Sequence, residues 1–223
     1  DGSTIPNVKN SADWKELNTG AYCWYNNDAA NYKNVYGALY NWYVIKTDKI
    51  CPVGWHVPSK VEFEKLIEFN GGVSVASGKL KEEGLSHWEN PNINATNESG
   101  FTALPGGQFF DNFYGLSEDG FWWTSTEYIE SSSAYSFGIV YYIESAAIDQ
   151  YQKYRGFSIR CIQDNSTSNI NSEPLIEFDF YPNPTNDKIY FNVSLDSNHI
   201  IYIYDLQNKL IMKEIINSNS IDL

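Results

Sequence analysis

In Ile50-Cys51-Pro52-Val53-Gly54-Trp55-His56-Val57-Pro58-Ser59 a cysteine leads straight into a turn that the backbone can enter in few ways. Proline fixes φ at about −65° at two positions, and Gly54 supplies the freedom a tight turn needs. Ser59 then opens a helix, because it is a good N-cap and Glu62 lies three residues on, the capping-box spacing that satisfies two orphan amides reciprocally. A second cysteine sits far downstream in the strand-like run Gly156-Phe157-Ser158-Ile159-Arg160-Cys161. That layout reads as a disulfide staple on a small extracellular module, not as a catalytic centre. Three cysteines, Cys23, Cys51 and Cys161, allow one pair and one leftover thiol. If Cys51 and Cys161 pair, the closed loop exceeds a hundred residues and is worth about 4–5 kcal/mol on the chain-entropy model. Cys23, within Ala21-Tyr22-Cys23-Trp24-Tyr25, then reads as a buried small hydrophobe.

The 223 residues suffice for one large or two small domains. Aromatics reach 16%, so many rings must fill a core or line a contact surface. The net charge of −13 argues against nucleic acid, since no positive field is present to release counterions. Between Lys81 and Lys153 there is no Lys or Arg, yet Glu82, Glu83, Glu89, Glu98, Asp111, Glu118, Asp119, Glu127, Glu130, Glu144 and Asp149 all fall there. The plain reading is a solvated acidic face. The sharper one is a calcium site, because hard cations take clustered carboxylate and carbonyl oxygens, although no EF-hand spacing is present. No apolar run approaches the roughly 20 residues that span a bilayer. Asp1 is not an initiator Met, which reads as a processed or partial chain, and the lack of a visible signal peptide says nothing about secretion.

Residues 1–33 are polar and Asn-rich, with Trp14, Trp24 and Tyr25 as anchors. Tyr36, Leu39, Tyr40, Tyr43 and Val44 recur at the spacing of an amphipathic helix. A second helix starts at Ser59, buries Phe63, Leu66 and Ile67, and stops at Asn70-Gly71-Gly72. After residue 98, short runs rich in β-branched and aromatic residues alternate with Gly, Asn and Ser: Phe101–Leu104, Gly107–Phe110, Phe121–Ser125, Ala134–Tyr142, Ala146–Tyr151 and Phe157–Ile162. They read as short antiparallel strands joined by tight turns. The expected first domain, 1–164, is therefore an α+β module of two helices and a small, loop-rich antiparallel sheet. The polar stretch over 165–175 reads as a linker. From 176 to 223 the runs Phe178–Tyr181, Lys188–Val193, Ile200–Asp205 and Leu210–Ile216 read as a separate small all-β, immunoglobulin-like sandwich.

The chemistry is sparse. His56, His87 and His199 share no metal-ligand spacing, and no nucleophile elbow or phosphate-cradling glycine loop occurs. His56, beside Trp55 and Pro58 at a helix entry, reads as a packed, hydrogen-bonded turn residue more readily than as a base. Glu98, Asp111 and Glu127 offer carboxylates for glycoside cleavage, but their spacing gives no sign of the paired geometry that reaction needs, and capping of turns is the simpler role. The chain is expected not to be an enzyme. The best candidate surface is Phe121-Trp122-Trp123-Thr124-Ser125-Thr126-Glu127-Tyr128, where rings alternate with polar groups as a sugar-binding face requires. Trp122, Trp123, Glu127, Tyr128, Tyr141, Asp149 and Tyr151 are its candidate residues, with Tyr114, Tyr135 and Tyr142 extending it. Period-two alternation puts one of Trp122 and Trp123 inside and the other outside.

Four segments together, Cys51-Pro52 through Ser59, Asn97-Glu98-Ser99-Gly100-Phe101-Thr102-Ala103-Leu104-Pro105-Gly106-Gly107, Trp123-Thr124-Ser125-Thr126-Glu127-Tyr128 and Gly156 through Cys161, resemble the Fibrobacter succinogenes major paralogous domain from Asp1 to about Asp164. The resemblance implies a C-type-lectin-like fold in a secreted or lipid-anchored surface protein of Bacteroidota or Fibrobacterota. It also implies that Cys51 and Cys161 are the paired positions and that Trp55, Trp123 and Glu127 hold the framework. The formylglycine-generating enzymes share a loosely similar helix entry, but their chemistry needs an active-site cysteine pair and only Cys161 lies in the second half of this module, so that activity is not carried over. Phe180-Tyr181-Pro182-Asn183-Pro184-Thr185-Asn186-Asp187-Lys188-Ile189-Tyr190 resembles the C-terminal sorting domain of type IX secretion cargo, over Ile176 to Leu223. That implies export through the periplasm to the outer surface, with the type IX machinery as a partner. Members usually carry Gly where Asn208 stands, and Asn tolerates the same left-handed turn. Members of both families extend beyond the matching ends, so a fragment of a longer polypeptide is expected, with the tail's sandwich incomplete. The reading of the whole is a non-catalytic binding or adhesion module for a polysaccharide or cell-surface protein, and the alternative is a structural subunit of an adhesin or filament.

Overall fold

The structure, a computed structural model, describes residues 4–129 and 132–164, together with five strands between residues 180 and 222. It divides into two compact units, Asp1–Ser166 and Thr167–Leu223. The linker expected over 165–175 lies outside the described residues.

The first unit runs α1 (Ser11–Lys15), β1 (Tyr22–Cys23), a 3-10 turn (Tyr25–Asn27), α2 (Ala29–Tyr36), β2 (Leu39–Tyr40) and a second 3-10 turn (Trp42–Thr47). It continues through β3 (Trp55–His56), α3 (Lys60–Phe69), α4 (Ala76–Leu80) and the strands β4 (Gly106–Phe109), β5 (Phe113–Leu116), β6 (Asp119–Glu127), β7 (Ser133–Val140), β8 (Ala146–Gln152) and β9 (Ile162–Gln163). Helix α3 forms where its local signals put it. The Ser59 hydroxyl accepts from the Glu62 amide, and the Glu62 carboxylate accepts from the Ser59 amide at 2.7 Å, closing the capping box. The helix ends at Asn70, after which Gly71 and Gly72 take φ of 101° and 89°, conformations that cost glycine little. Phe63 and Ile67 face the core, and the Phe63 ring stacks on Phe137 with centroids 4.6 Å apart.

The helix expected across Tyr36 to Val44 does not form. Gly37 has φ 73° and ends α2, and Leu39–Tyr40 pairs antiparallel with Tyr22–Cys23. The buried Asn41 side chain accepts from the Ala21 amide at 3.0 Å and donates to the Thr19 carbonyl at 2.9 Å. These bonds give the chain an alternative to the helical ladder, and of the stripe only Leu39 and Val44 are buried, with Tyr36, Tyr40 and Tyr43 partly so.

The main sheet has the order β5-β4-β6-β7-β8. All neighbours are antiparallel except β4 and β6, which are parallel where Gly107 meets Gly120, so the sheet is mixed and not wholly antiparallel as expected. Of the expected runs, Phe101–Leu104 yields only a bridge between Ala103 and Lys81, and Phe157–Ile162 shrinks to bridges followed by β9. One face of the sheet packs on α3, α4 and Trp88 through Trp122, Phe137 and Ile139. The other packs on Trp42, Val57 and Phe157 through Trp123 and Ala134. A third cluster gathers Trp14, Tyr25, Leu39, Phe109 and the buried Cys23, whose thiol burial pushes up.

Two chain segments far apart in sequence close the unit. Strand β3 pairs antiparallel with β9, Trp55 opposite Gln163 and His56 opposite Ile162. Beside that ladder Cys51 and Cys161 form a disulfide with their Cα atoms 5.8 Å apart. Trp55 itself is 43% exposed, so its framework contribution is made by its backbone.

In the second unit, β10 (Phe180–Tyr181), β11 (Lys188–Phe191) and β14 (Ser220–Asp222) form one antiparallel sheet in the order β10-β11-β14. The pair β12 (His199–Tyr204) and β13 (Leu210–Ile216) forms another. These strands fall on the expected runs, apart from β14, which the sequence did not announce. The expected ends at 178–179, 192–193 and 205 lie outside the described residues.

Candidate functional site

Trp122 and Trp123, expected one inside and one outside, are both interior. Trp122 is 5% exposed and Trp123 0% exposed. The two rings do point to opposite faces of β6, as the period of a strand demands, but β6 is the central strand and both faces are covered. Trp122 lies edge-on to Phe101 at 5.7 Å on the α3 side. Trp123 packs 4.6 Å from Phe157 on the other side and donates its indole N–H to the Tyr40 carbonyl at 2.8 Å.

The remaining candidates scatter. Tyr128 is half-buried against Tyr135 at 5.6 Å, and Tyr141 is half-buried against the α3-side core. Asp149 and Tyr151 share one face of β8 and line a shallow depression of about 130 Å³ with Phe121 and Gly138. Glu127 stands apart from all of these, in a different cleft. Tyr114 and Tyr142 are exposed, and the Tyr114 hydroxyl donates to Asp111 at 2.9 Å.

A polar cleft forms around Glu127. It has a volume of about 400 Å³, lies beside Cys51, and brings Lys46, Asp48, His56, Ser125 and Glu127 around an aliphatic floor of Ile45 and Val57. The 3-10 turn supplies Trp42, Lys46 and, at its left-handed end, Asp48 with φ 54°. Trp42 anchors that turn by donating its indole N–H to the Thr124 carbonyl at 2.8 Å. Glu127, at the end of β6 beyond an irregularity in its pairing with β7, receives two ammonium groups. Lys153 Nζ lies 2.8 Å from Oε2 and Lys46 Nζ 3.3 Å from Oε1. Both lysines also sit over the Trp42 ring, at 4.8 and 5.6 Å from its centroid. The hydrogen bond from Lys153, with Lys46 beside it, holds the Glu127 carboxyl below its ordinary range against a smaller opposing effect of burial.

His56 is clamped between two carboxylates. Its Nδ1 lies 2.6 Å from Asp164 and its Nε2 3.0 Å from Glu62. The Asp164 bond, then the Glu62 bond, raise its pKa. His56 is hydrogen-bonded as expected but lies in strand β3 and not in a turn, and its partners bind the helix cap of α3 to the end of the unit. Of the other carboxylates, Glu98 pairs with Lys79 at 3.5 Å and Asp111 with Tyr114, so Glu98, Asp111 and Glu127 form no convergent pair. Among the described residues no group of three or more His, Cys, Asp or Glu is placed to hold a metal ion, and the acidic stretch does not gather into a calcium site.

A small mixed-sheet unit stapled by a disulfide between segments 110 residues apart, followed by a separate all-β unit, defines a multidomain protein of oxidising, extracytoplasmic surroundings. The chain belongs to the family of the Fibrobacter succinogenes major domain, whose model matches residues 1–163. Residues 179–223 match the secretion system C-terminal sorting domain. That tail marks the protein for recognition by the type IX secretion machinery and for export to the cell surface or the extracellular space. No curated protein and no solved structure matches the chain. Among the described residues no helix is long and apolar enough to cross a membrane.

Proposed function

We propose that the protein is a non-catalytic binding module displayed outside the cell, and that it takes a saccharide in the cleft beside Cys51. The observation that supports this most is the state of the cleft's ionisable groups. Glu127 is neutralised by Lys46 and Lys153, and His56 by Asp164 and Glu62. General acid–base work needs a group free to exchange its proton with a substrate, whereas Glu127 is held ionised by its two lysines and His56 is engaged at both ring nitrogens by Asp164 and Glu62. What they offer is a fixed array of donors and acceptors around an apolar floor, suited to hydroxyl groups. A C-type-lectin-like architecture for residues 1–164, an immunoglobulin-like sandwich for 176–223 and a linker over 165–175 belong to the same proposal. The mixed sheet, the long-range staple of the first unit and the separate strands of the second support it.

Glycan-array binding of the full chain, with and without chelator, tests the reading, with Lys46→Ala and Glu127→Gln as variants. Saccharide binding that weakens at least about tenfold in either variant is the expected result. An ordered fold that binds no saccharide, or turnover of a bound one, would overturn it. The alternative of a structural subunit of an adhesin or filament draws on a different feature, the open edge of the main sheet.

A further inference from the structure

We propose that the outer edge of β8, together with the trench between it and α3, is a docking site for an extended, lysine- or arginine-bearing segment of another protein, added to the sheet as a further strand. The inference goes beyond the saccharide cleft and does not depend on it.

The edge is open and regular. Strand β8 is the last strand of the sheet order and pairs with β7 over seven residues without a register shift. The Ala146 amide donates away from β7, to the Val73 carbonyl at 3.0 Å, while the Lys153 amide donates to Ser132 beside β7. Alternation along the strand therefore aims the amide and carbonyl groups of Ile148 and Gln150 outward. Those four groups have no hydrogen-bond partner among the described residues, and the run ends at Gln152, whose carbonyl accepts from Arg155. The edge carries no Pro, no Lys and no bulge from Ala146 to Gln152, the devices that usually protect such an edge. At the opposite edge, β5 is only four residues long and is broken by Gly115 at φ 71°. Only one edge of this sheet is fit to be extended.

The surroundings are shaped for the same guest. A trench of about 520 Å³ runs between β8 and the wall made by Glu64, Ile67, Glu68 and Val73. On the other face of β8 lies the depression that holds Phe121 and Tyr151. An added strand places alternate side chains on these two faces, which is how strand addition gains specificity beyond its backbone bonds. Charge then selects the guest. Glu64 is spent on Lys60, but Glu68 and Asp149 have no ion pair among the described residues, and no Lys or Arg occurs from Glu82 to Gln152. The two faces alternate along an added strand: a basic side chain on the α3 side lays its aliphatic stem on Ile67 and Val73 with its charge toward Glu68, and one on the other side meets Asp149. A second copy of β8 would bring only Asp149 to this place and meet like charge, which disfavours self-pairing.

The test uses the full chain and two short blocked peptides, one alternating threonine with lysine and the other threonine with glutamate. Fluorescence anisotropy measures binding, and amide hydrogen exchange reports the edge directly. The lysine peptide is expected to bind at low salt and to slow exchange at Ile148 and Gln150, while the glutamate peptide does not bind. Gln150→Pro removes an outward amide that β7 does not use, and is expected to weaken binding at least about tenfold. Glu68→Lys changes only an exposed charge and shifts preference toward the glutamate peptide. Equal binding of both peptides, unchanged exchange at the two amides, or concentration-dependent dimers abolished by Gln150→Pro would each overturn the proposal, the last by naming a second copy as the occupant.

Discussion

Replacing both cysteines of the staple, Cys51→Ala with Cys161→Ala, is expected to remove about 5 kcal/mol from the stability of the first unit. The bridged residues are 110 positions apart, and closing a loop of that length costs the unfolded chain about 16 cal/mol/K, or about 4.8 kcal/mol at 25 °C. Both cysteines are only half-buried, so truncating the sulfurs adds less than about 1 kcal/mol. Small domains are stable by roughly 5–15 kcal/mol in total, so the change removes a large share of the margin. Urea unfolding of the full chain followed by tryptophan fluorescence isolates the effect, because all 7 tryptophans, from Trp14 to Trp123, lie in the first unit. The dependence on urea should also steepen, since the unbridged unfolded chain exposes more surface. A loss below about 2 kcal/mol with an unchanged urea dependence would refute the reasoning, because the bridge would then not be restricting the unfolded ensemble.

Three smaller changes follow from the local geometry. Ser59→Ala breaks the capping box of α3 and is expected to cost about 1 kcal/mol in urea denaturation. Burial first, and the charge of Glu118 second, push the Asp119 carboxyl up to about 6, so the native state keeps that proton longer than the unfolded state. Stability therefore falls as pH climbs from about 4 through 6, and Asp119→Asn is expected to gain up to about 3 kcal/mol at pH near 7.5 but nothing below pH 4; an equal gain at both values would sink the explanation. His56, its pKa raised by Asp164 and then Glu62, stabilises fully below about pH 6.5, and the benefit disappears as pH rises through its folded value. His56→Gln is thus expected to lower the urea midpoint at about pH 5.5 and leave it unchanged near pH 9, by less than about 1 kcal/mol because water screens the half-exposed pair.

What the sequence made legible was local. Helix α3 was readable because its cap, its apolar spacing and its glycine stop all fall within fourteen consecutive residues, Ser59 to Gly72. Strands β6, β7 and β8 were readable because alternation and β-branched content agree over their lengths. The stripe from Tyr36 to Val44 misled because helical spacing says nothing of Gly37 or of an Asn41 whose partners lie twenty residues back. Trp122 and Trp123 misled for a related reason. Alternation tells which faces two neighbours occupy, but whether a face is covered depends on α3 and on Phe157, which arrive from elsewhere. The cleft beside Cys51 was beyond sequence reasoning altogether, apart from Glu127 and His56. Trp42, Lys46, Ser125 and Lys153 come from three separate segments, and only the fold makes Lys153 the counterion of Glu127.

The two lysines that bracket the acidic stretch are both interior. Lys81, 0% exposed, points its ammonium at the carbonyls of Val140, Tyr141 and Ile143 at 3.3, 3.4 and 3.1 Å, and Lys153, 1% exposed, is paired with Glu127. Peptidases that cut after basic residues therefore find no cleavage point anywhere from Glu82 to Gln152, and the nearest points on either side are locked inside the fold. Outside the cell, the whole main sheet is thus a segment that trypsin-like enzymes cannot nick without first unfolding it.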